Sequence, residues 1–176
     1  MRRREFIVAI SGAVIAACAS PKTVNSAANN LTSGIEKMEL QPLATMIITM
    51  GRSLLIANAP VGARLVIDFT DIVVQGERLK AKKASALPAG DWLTLGPNDV
   101  ATLDIRFVLE TEDGATIFVH GTGRTDSAKF SKGAPCYFTP VFETSDARYA
   151  WLNKVQAVAR GVAKENVVTF ELAVLS

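Results

Sequence analysis

The stretch VATLDIRFVLETEDGATIFVH, residues 100–120, carries the pattern that decides the fold. Apolar and polar side chains alternate along its first half, and a period of two is typical of a β-strand with two chemically different faces. The apolar row is Leu103, Ile105, Phe107 and Leu109, and the polar row includes Thr102, Asp104, Arg106 and Glu110. Because residues 112–114 (Glu-Asp-Gly) form a turn signal, the stretch predicts an antiparallel hairpin of strands 100–110 and 115–120.

Short strands of the same kind follow one another from residue 40 onward. Further strands are predicted at 43–50, 63–69, 78–85, 91–95, 137–143, 152–160 and 167–174, and only residues 146–151 suggest a helical turn. Eight to ten short strands separated by turns favour a sandwich or a barrel. Closure removes exposed sheet edges, and a barrel of roughly eight strands can hold one small ligand. We therefore expect an all-β, calycin-like antiparallel barrel, closed or nearly closed, over residues 38–176.

Composition limits the classes of partner and cofactor. The 176 residues carry a formal net charge of +2, which comes from the arginines near the N-terminus. Without a basic face there is no reason to expect a nucleic-acid partner. The sequence contains one histidine and two cysteines. It shows no ligand-spaced cluster, Gly-rich phosphate loop or dinucleotide fingerprint, so we expect neither a metal nor a cofactor.

The N-terminus predicts export. Residues 1–18 place three arginines before an apolar run that is shorter than the roughly 20 residues of a membrane-spanning helix, which is a signal-peptide layout. Residues 3–7 (Arg-Arg-Glu-Phe-Ile) resemble a twin-arginine export motif. Residues 15–18 resemble a lipobox that would lipidate Cys18, and cleavage after Ala19 is the alternative. We expect a periplasmic or membrane-anchored protein, with residues 19–37 as a flexible tether and Cys18 as the only membrane anchor.

A family resemblance emerges from several motifs in order. These are residues 76–80 (GERLK), 91–92 (DW), 103–107 (LDIRF), 110–114 (ETEDG), 137–139 (YFT), 142–144 (FET) and 149–153 (YAWLN). Together they resemble the bacterial and fungal domain-of-unknown-function family numbered 3237, over about residues 40–175. The resemblance implies a barrel-like β fold and transfers little function. Ala81 stands where the family usually has glycine, and residues 71–75 replace a Gly-rich segment.

The strongest candidates for chemistry are Asp104 and Arg106, which share one face of their strand. If that face lines the barrel, a confined carboxylate could exchange protons with a substrate and the guanidinium could hold an anionic or carbonyl oxygen. Composition alone favours a solvated ion pair instead. The resemblance favours the interior, because both residues fall on motif positions. We therefore predict that they point inward, with Glu171 or His120 within reach, and that the apolar row lies outside.

Other side chains are weaker candidates for binding a ligand, and each has a structural alternative. They are Asp91, Trp92, His120, Trp151 and Asn153. The tryptophans are more often packing residues, Asp91 could cap a turn, and Asn153 could satisfy backbone groups. Cys136 is the only thiol of the predicted domain, and a small packed residue is favoured over a Cys–His pair with His120.

These observations leave three functions open. The first is a cofactor-independent acid–base enzyme (an isomerase, lyase or hydrolase) that acts on a small hydroxyl or carbonyl compound through Asp104, Arg106 and Glu171. The second is a binding protein for a small apolar or aromatic ligand. The third is a structural envelope lipoprotein. The first two require a small organic molecule as the partner, and no oligomeric state is predicted.

Overall fold

The computed structural model describes residues 37–176, which form nine strands and two short 3₁₀ turns. The strands are β1 Leu40–Ile56, β2 Ala63–Gln75, β3 Lys80–Lys83, β4 Gly90–Leu95, β5 Val100–Thr111, β6 Thr116–Asp126, β7 Cys136–Glu143, β8 Ala157–Lys164 and β9 Val167–Leu175. The 3₁₀ turns are Phe130–Lys132 and Ala150–Lys154. Among the described residues, none of the helical segments is long and apolar enough to cross a membrane. The predicted leader, the lipidation at Cys18 and nearly all of the predicted tether lie outside the described residues.

The strands close into an antiparallel barrel with eight positions. Around the ring the order is β1, β9, β8, β7, β6 and β5, and β2 pairs back with β1. The position between β5 and β2 is shared by β3 and β4, which lie end to end. The prediction of a closed antiparallel barrel is therefore confirmed.

The hairpin that organises the sequence is present as predicted. β5 and β6 pair in unbroken register from Val100–Asp126 to Glu110–Thr116. The strand predicted at 152–160 is wrong in its first part, because residues 150–154 form a 3₁₀ turn and β8 begins only at Ala157. Leu152 in that turn is buried and joins the core, so it packs against the barrel end instead of extending a strand. The helical turn expected at 146–151 lies a few residues later.

The interior of the barrel is apolar, and this overturns the predicted orientation of β5. Its apolar row Leu103, Ile105, Phe107 and Leu109 is buried in the core. Asp104 and Arg106 consequently face outward. Burying a large apolar side chain contributes about 1.5–3 kcal/mol, whereas an interior charge must be paired to offset its desolvation. The four apolar residues therefore decide which face of β5 points inward.

The connector between β7 and β8 lies across one end of the barrel, here named the closed end, and buries Leu152 in the core. Arg148 holds this connector through its guanidinium, which lies 2.8 Å from Asp113 Oδ2 and 2.7 Å from Asp146 Oδ2. Tyr149 donates its hydroxyl to Asp113 Oδ1 at 3.1 Å, and Thr111 donates to the same oxygen. We name these five residues the end clamp. Arg148 lowers the pKa of Asp146 to about 2 through these hydrogen bonds.

Candidate ligand cavity

The other end of the barrel, the open end, contains a cavity. It is reached past the β4–β5 and β6–β7 connections, where Asp99, Ser127 and Phe130 form the rim. Its volume of about 400 Å³ falls in the range of small-molecule sites. The wall is almost wholly apolar and includes Ile48, Ile67, Phe69, Leu103, Ile105 and Phe170. Such a cavity would favour an apolar molecule that carries few polar groups.

Asp91 is the exception in this apolar wall. The short strand β4 alternates, so Asp91, Leu93 and Leu95 face the cavity while Trp92 is exposed outside. Asp91 is 5% exposed. It is the one charged side chain that is buried among residues 37–176.

A local opening of the sheet holds the Asp91 carboxyl in place. The β4–β5 pairing skips from Asp91–Ile105 to Thr94–Thr102. In this gap the backbone N–H of Asp104 donates to Asp91 Oδ1 at 2.8 Å. Within the described chain this is the only hydrogen bond to the carboxyl, and no buried side-chain oxygen there lacks a partner. The second carboxyl oxygen, Oδ2, has no hydrogen-bond partner in this part of the chain and is therefore not fully buried. Because Asp91 lines the cavity, we infer that Oδ2 is accessible from the cavity.

The environment of Asp91 shifts its titration toward neutral pH. Burial raises the pKa of the carboxyl from 3.8 to about 7. The hydrogen bond from the Asp104 N–H opposes this rise, and the nearby charge of the Asp104 side chain adds to it. At neutral pH the carboxyl is thus divided between its acidic form, which donates a hydrogen bond, and its basic form, which accepts a proton.

Cys136 also lines the cavity, in a form that does not favour reaction. Its thiol is buried and lies 3.7 Å from the carbonyl oxygen of Gly161. Burial raises the pKa of the thiol to about 11, so it stays protonated at neutral pH, whereas the thiolate is the nucleophile. His120 lies on the outer face of the barrel, so the two do not form a Cys–His pair. In the described part of the chain, no three side chains of the metal-binding types come together.

The three residues predicted as catalytic lie outside the cavity. Arg106 Nε lies 3.2 Å from Asp104 Oδ1 in a surface ion pair. Glu171 is exposed on β9, which three strands separate from β5 around the ring. The prediction that these side chains line the barrel is wrong, because the inward positions beside them are occupied by large apolar residues. His120 does lie beside Arg106, as its register partner on β6, but on the outer surface.

Of the five residues predicted to bind a ligand, Asp91 alone lies in the cavity. His120 Nε2 is 3.2 Å from Glu143 Oε1 on the outer surface. Trp151 lies at the closed end with the Arg78 guanidinium 3.9 Å from its ring centre. Asn153 bonds both backbone groups of Thr144 at 2.9 Å, which is the structural role left open for it. In the sequence, Asp91 stands in one alternating row with Leu93 and Leu95, which is a weak sign that its side chain faces the interior.

Known proteins resemble the chain in sequence and in fold. A UPF0311 protein of Clostridium acetobutylicum is 27% identical over 151 residues, which is 77% of this chain and 94% of the relative. A solved structure of a β-barrel-like protein from Acinetobacter baumannii superposes with a TM-score of 0.70 at 24% identity, covering 81% of this chain and 99% of that one. A structure described as an enzyme from Penicillium herquei gives 0.60 at 19% identity, covering 79% and 96%.

A family model matches almost all of the described chain. It covers residues 38–175, from the start of the barrel to the end of β9, and is described as a protein of unknown function, DUF3237. This agrees with the resemblance that the motifs indicated. The chain therefore belongs to the DUF3237 family.

Proposed function

We propose that the barrel binds a small apolar molecule bearing a hydroxyl or carbonyl group and that Asp91 transfers protons on it. The observation that carries this proposal is a single buried carboxyl, with its pKa raised to about 7, in the apolar wall of the cavity. Strongly perturbed carboxyls in cavities are candidates for catalytic groups. The proposal is also supported by the description of one fold relative, from Penicillium herquei, as an enzyme.

The proposed step is a proton transfer without a cofactor. The ionised carboxyl takes a proton from carbon next to a carbonyl, and the bonding electrons of that C–H bond move toward the carbonyl oxygen to give an enolate. The neutral acid then returns the proton to another atom of the same molecule, so the net result is an isomerisation. A group with a pKa near the working pH performs both halves efficiently.

Binding without reaction is a second candidate, and the hydrogen bond from the Asp104 N–H favours it. That bond gives the Asp91 carboxyl a structural reason to be present, because it satisfies a donor where the β4–β5 pairing opens. The same carboxyl would then only orient the polar group of a bound ligand.

A generic proton-transfer substrate tests the enzymatic proposal. With 5-nitrobenzisoxazole, a base removes the ring C–H proton while the N–O bond breaks, which gives a coloured cyanophenolate. We expect the full chain to accelerate this reaction, with a rate that rises as the pH passes through about 7. Asp91→Asn should lower the rate about 10²-fold, the low end of what a positioned base contributes. Asp104→Asn, which changes a carboxyl on the outer face, should retain most of the activity.

A binding measurement separates the two candidates. Quenching or enhancement of 2-naphthol fluorescence reports occupation of the cavity, and Ala101→Phe should abolish it by filling the space that Ala101 leaves in the wall. Binding of 2-naphthol without turnover of 5-nitrobenzisoxazole favours the binding protein. Absence of both signals in the folded wild type contradicts the proposal.

We also propose that the protein works after export, in the periplasm or anchored to a membrane. The support is the arginine-rich, then apolar, leader of residues 1–18 and the lipobox-like segment that ends at Cys18. Fractionation of cells that produce the full chain tests this location.

A further inference from the structure

The open end of the barrel has an uneven rim, because β1 extends past its neighbour. Pairing of β1 with β9 ends at Thr49–Val167, and the last backbone contact on that side joins Met50 N–H to the carbonyl of Asn166. Pairing with β2 continues to Ile56–Arg64. Residues 51–56 therefore have a strand partner on one side only, and residues 57–62 form the turn into β2. Residues 51–62 are here named the lip.

The lip exposes large apolar side chains on both of its faces. Leu54 is 63% exposed, Leu55 57%, Ile56 47% and Val61 66%. Leu55 is the register partner of the cavity-lining Leu65, so it continues the inner face. Leu54 and Ile56 alternate with it and lie on the outer face. No charged residue lies between Arg52 and Arg64, so residues 53–62 can contact an apolar surface without burying a charged side chain.

The charges around the lip favour an anionic partner. The segments 51–64, 96–99, 126–135 and 164–167, which form the open end, carry five basic and three acidic side chains. Arg52, Lys132 and Lys164 are exposed among the basic residues, and Lys129 is paired with Asp126 at 2.8 Å. Asp99 and Glu165 are exposed among the acidic ones, so the open end keeps an excess of two positive charges. An apolar edge that lies among more basic than acidic residues suits binding at the interface of anionic membranes.

We propose that the lip inserts into the interfacial layer of an anionic lipid bilayer. A flat protein partner would cover one face of the lip, whereas lipid surrounds both faces and the turn between β1 and β2 at once. The free backbone edge of residues 51–56 limits the depth of insertion, because unpaired peptide groups need water or headgroups. Interfacial segments reach about 5–10 Å into this layer.

This placement would also define the source of the ligand. The lip lies at the same end as the cavity rim, and Leu65 and Leu95 connect the two surfaces. A barrel docked in this way would take an apolar molecule that is dissolved in the membrane. This second statement rests on the proposed ligand-binding function, whereas the docking itself does not.

The test places an environment-sensitive dye on the lip of the full chain. In a Cys18→Ser background, with Cys136 left buried, Val61→Cys carries the dye nitrobenzoxadiazole. Val141→Cys is the matched control, since Val141 is exposed on β7 away from the open end. Vesicles of equal parts phosphatidylglycerol and phosphatidylcholine should shift the emission of the Val61 dye to shorter wavelength and leave the Val141 dye unchanged. Leu54→Ser with Leu55→Ser should weaken vesicle binding roughly tenfold or more.

Three results would overturn the docking proposal. They are no shift at the Val61 position, equal shifts at both positions, or a shift without vesicles that grows with protein concentration, which would indicate a second copy on the lip. The variant Asp91→Asn keeps the failures of the two proposals apart. When Asp91→Asn is added to the dye-labelled Val61→Cys chain, vesicles should shift the dye emission as they do with Asp91 present. This holds even if the cavity has no acid–base function.

Discussion

Replacing Asp91 by Asn should stabilise the barrel at high pH relative to the wild type, and the gain should vanish in acid. The amide retains an oxygen that can accept the hydrogen bond from the Asp104 N–H at 2.8 Å. It removes the negative charge that the wild type must bury when the carboxyl ionises. The wild type and the variant therefore differ in one titration.

The sign and size of the effect follow from the shifted pKa. Burial raises the pKa of Asp91 from 3.8 to about 7, so the unfolded chain loses this proton at lower pH than the folded chain. The stabilising contribution of the neutral carboxyl is complete below the unfolded pKa and is lost as the pH rises through about 7. Each pKa unit corresponds to about 1.36 kcal/mol, which gives roughly 2–3 kcal/mol between about pH 5 and about pH 8.

Urea unfolding followed by tryptophan fluorescence measures this difference. The free energy of unfolding of Asp91→Asn minus that of the wild type should rise by this amount across the range. Asp104→Asn is the matched control and should show a much smaller pH dependence, because the Asp104 side chain is partly exposed. A constant difference between Asp91→Asn and wild type would show that Asp91 titrates normally and that water reaches it.

Four further outcomes are expected. Gly121→Ala should destabilise or unfold the protein, measured by thermal melting, because the added carbon would meet a β7 carbonyl oxygen at 2.1 Å, and a melting temperature equal to that of the wild type would contradict this. Asp113→Ala should release the connector at the closed end, seen as faster amide hydrogen exchange over 144–156, whereas unchanged exchange would mean that the end clamp is dispensable. Changing Arg3 and Arg4 together to Lys should leave precursor in the cytoplasm, and normal export of this variant would exclude the twin-arginine route. Radiolabelled fatty acid should enter the wild type but not Cys18→Ser, and an unlabelled wild type would exclude lipidation at Cys18.

The strands were predictable because their signal is local. Alternation and turn residues placed β5, β6 and the turn between them, and the number of such segments favoured closure. The pattern is the same whichever face points inward, so it did not by itself orient Asp104 and Arg106. The size of the apolar residues on the opposite face was the better guide, since a barrel interior without them would lose most of its hydrophobic stabilisation.

The candidate site was harder to predict because it depends on long-range closure. Asp91 lies in a strand of six residues, too short for a firm period, and Trp92 beside it suggested a motif pair. Its burial comes from β2 and β5 on either side and from residues of β9 across the cavity. Similarly, the length of β1 beyond residue 50 was missed because Gly51 interrupts the apolar run.

The pairing of β1 with β9 makes this a slowly assembling molecule. Leu40 and Leu175 are register partners although they lie at opposite ends of the described chain. Contacts between such distant residues must wait for a costly loop closure, and proteins dominated by them fold on millisecond-to-second timescales. Until the last strand is synthesised, β8 and β1 both present open edges that can recruit other chains. Loss of β9 alone would therefore turn a closed ring into an aggregation-prone sheet.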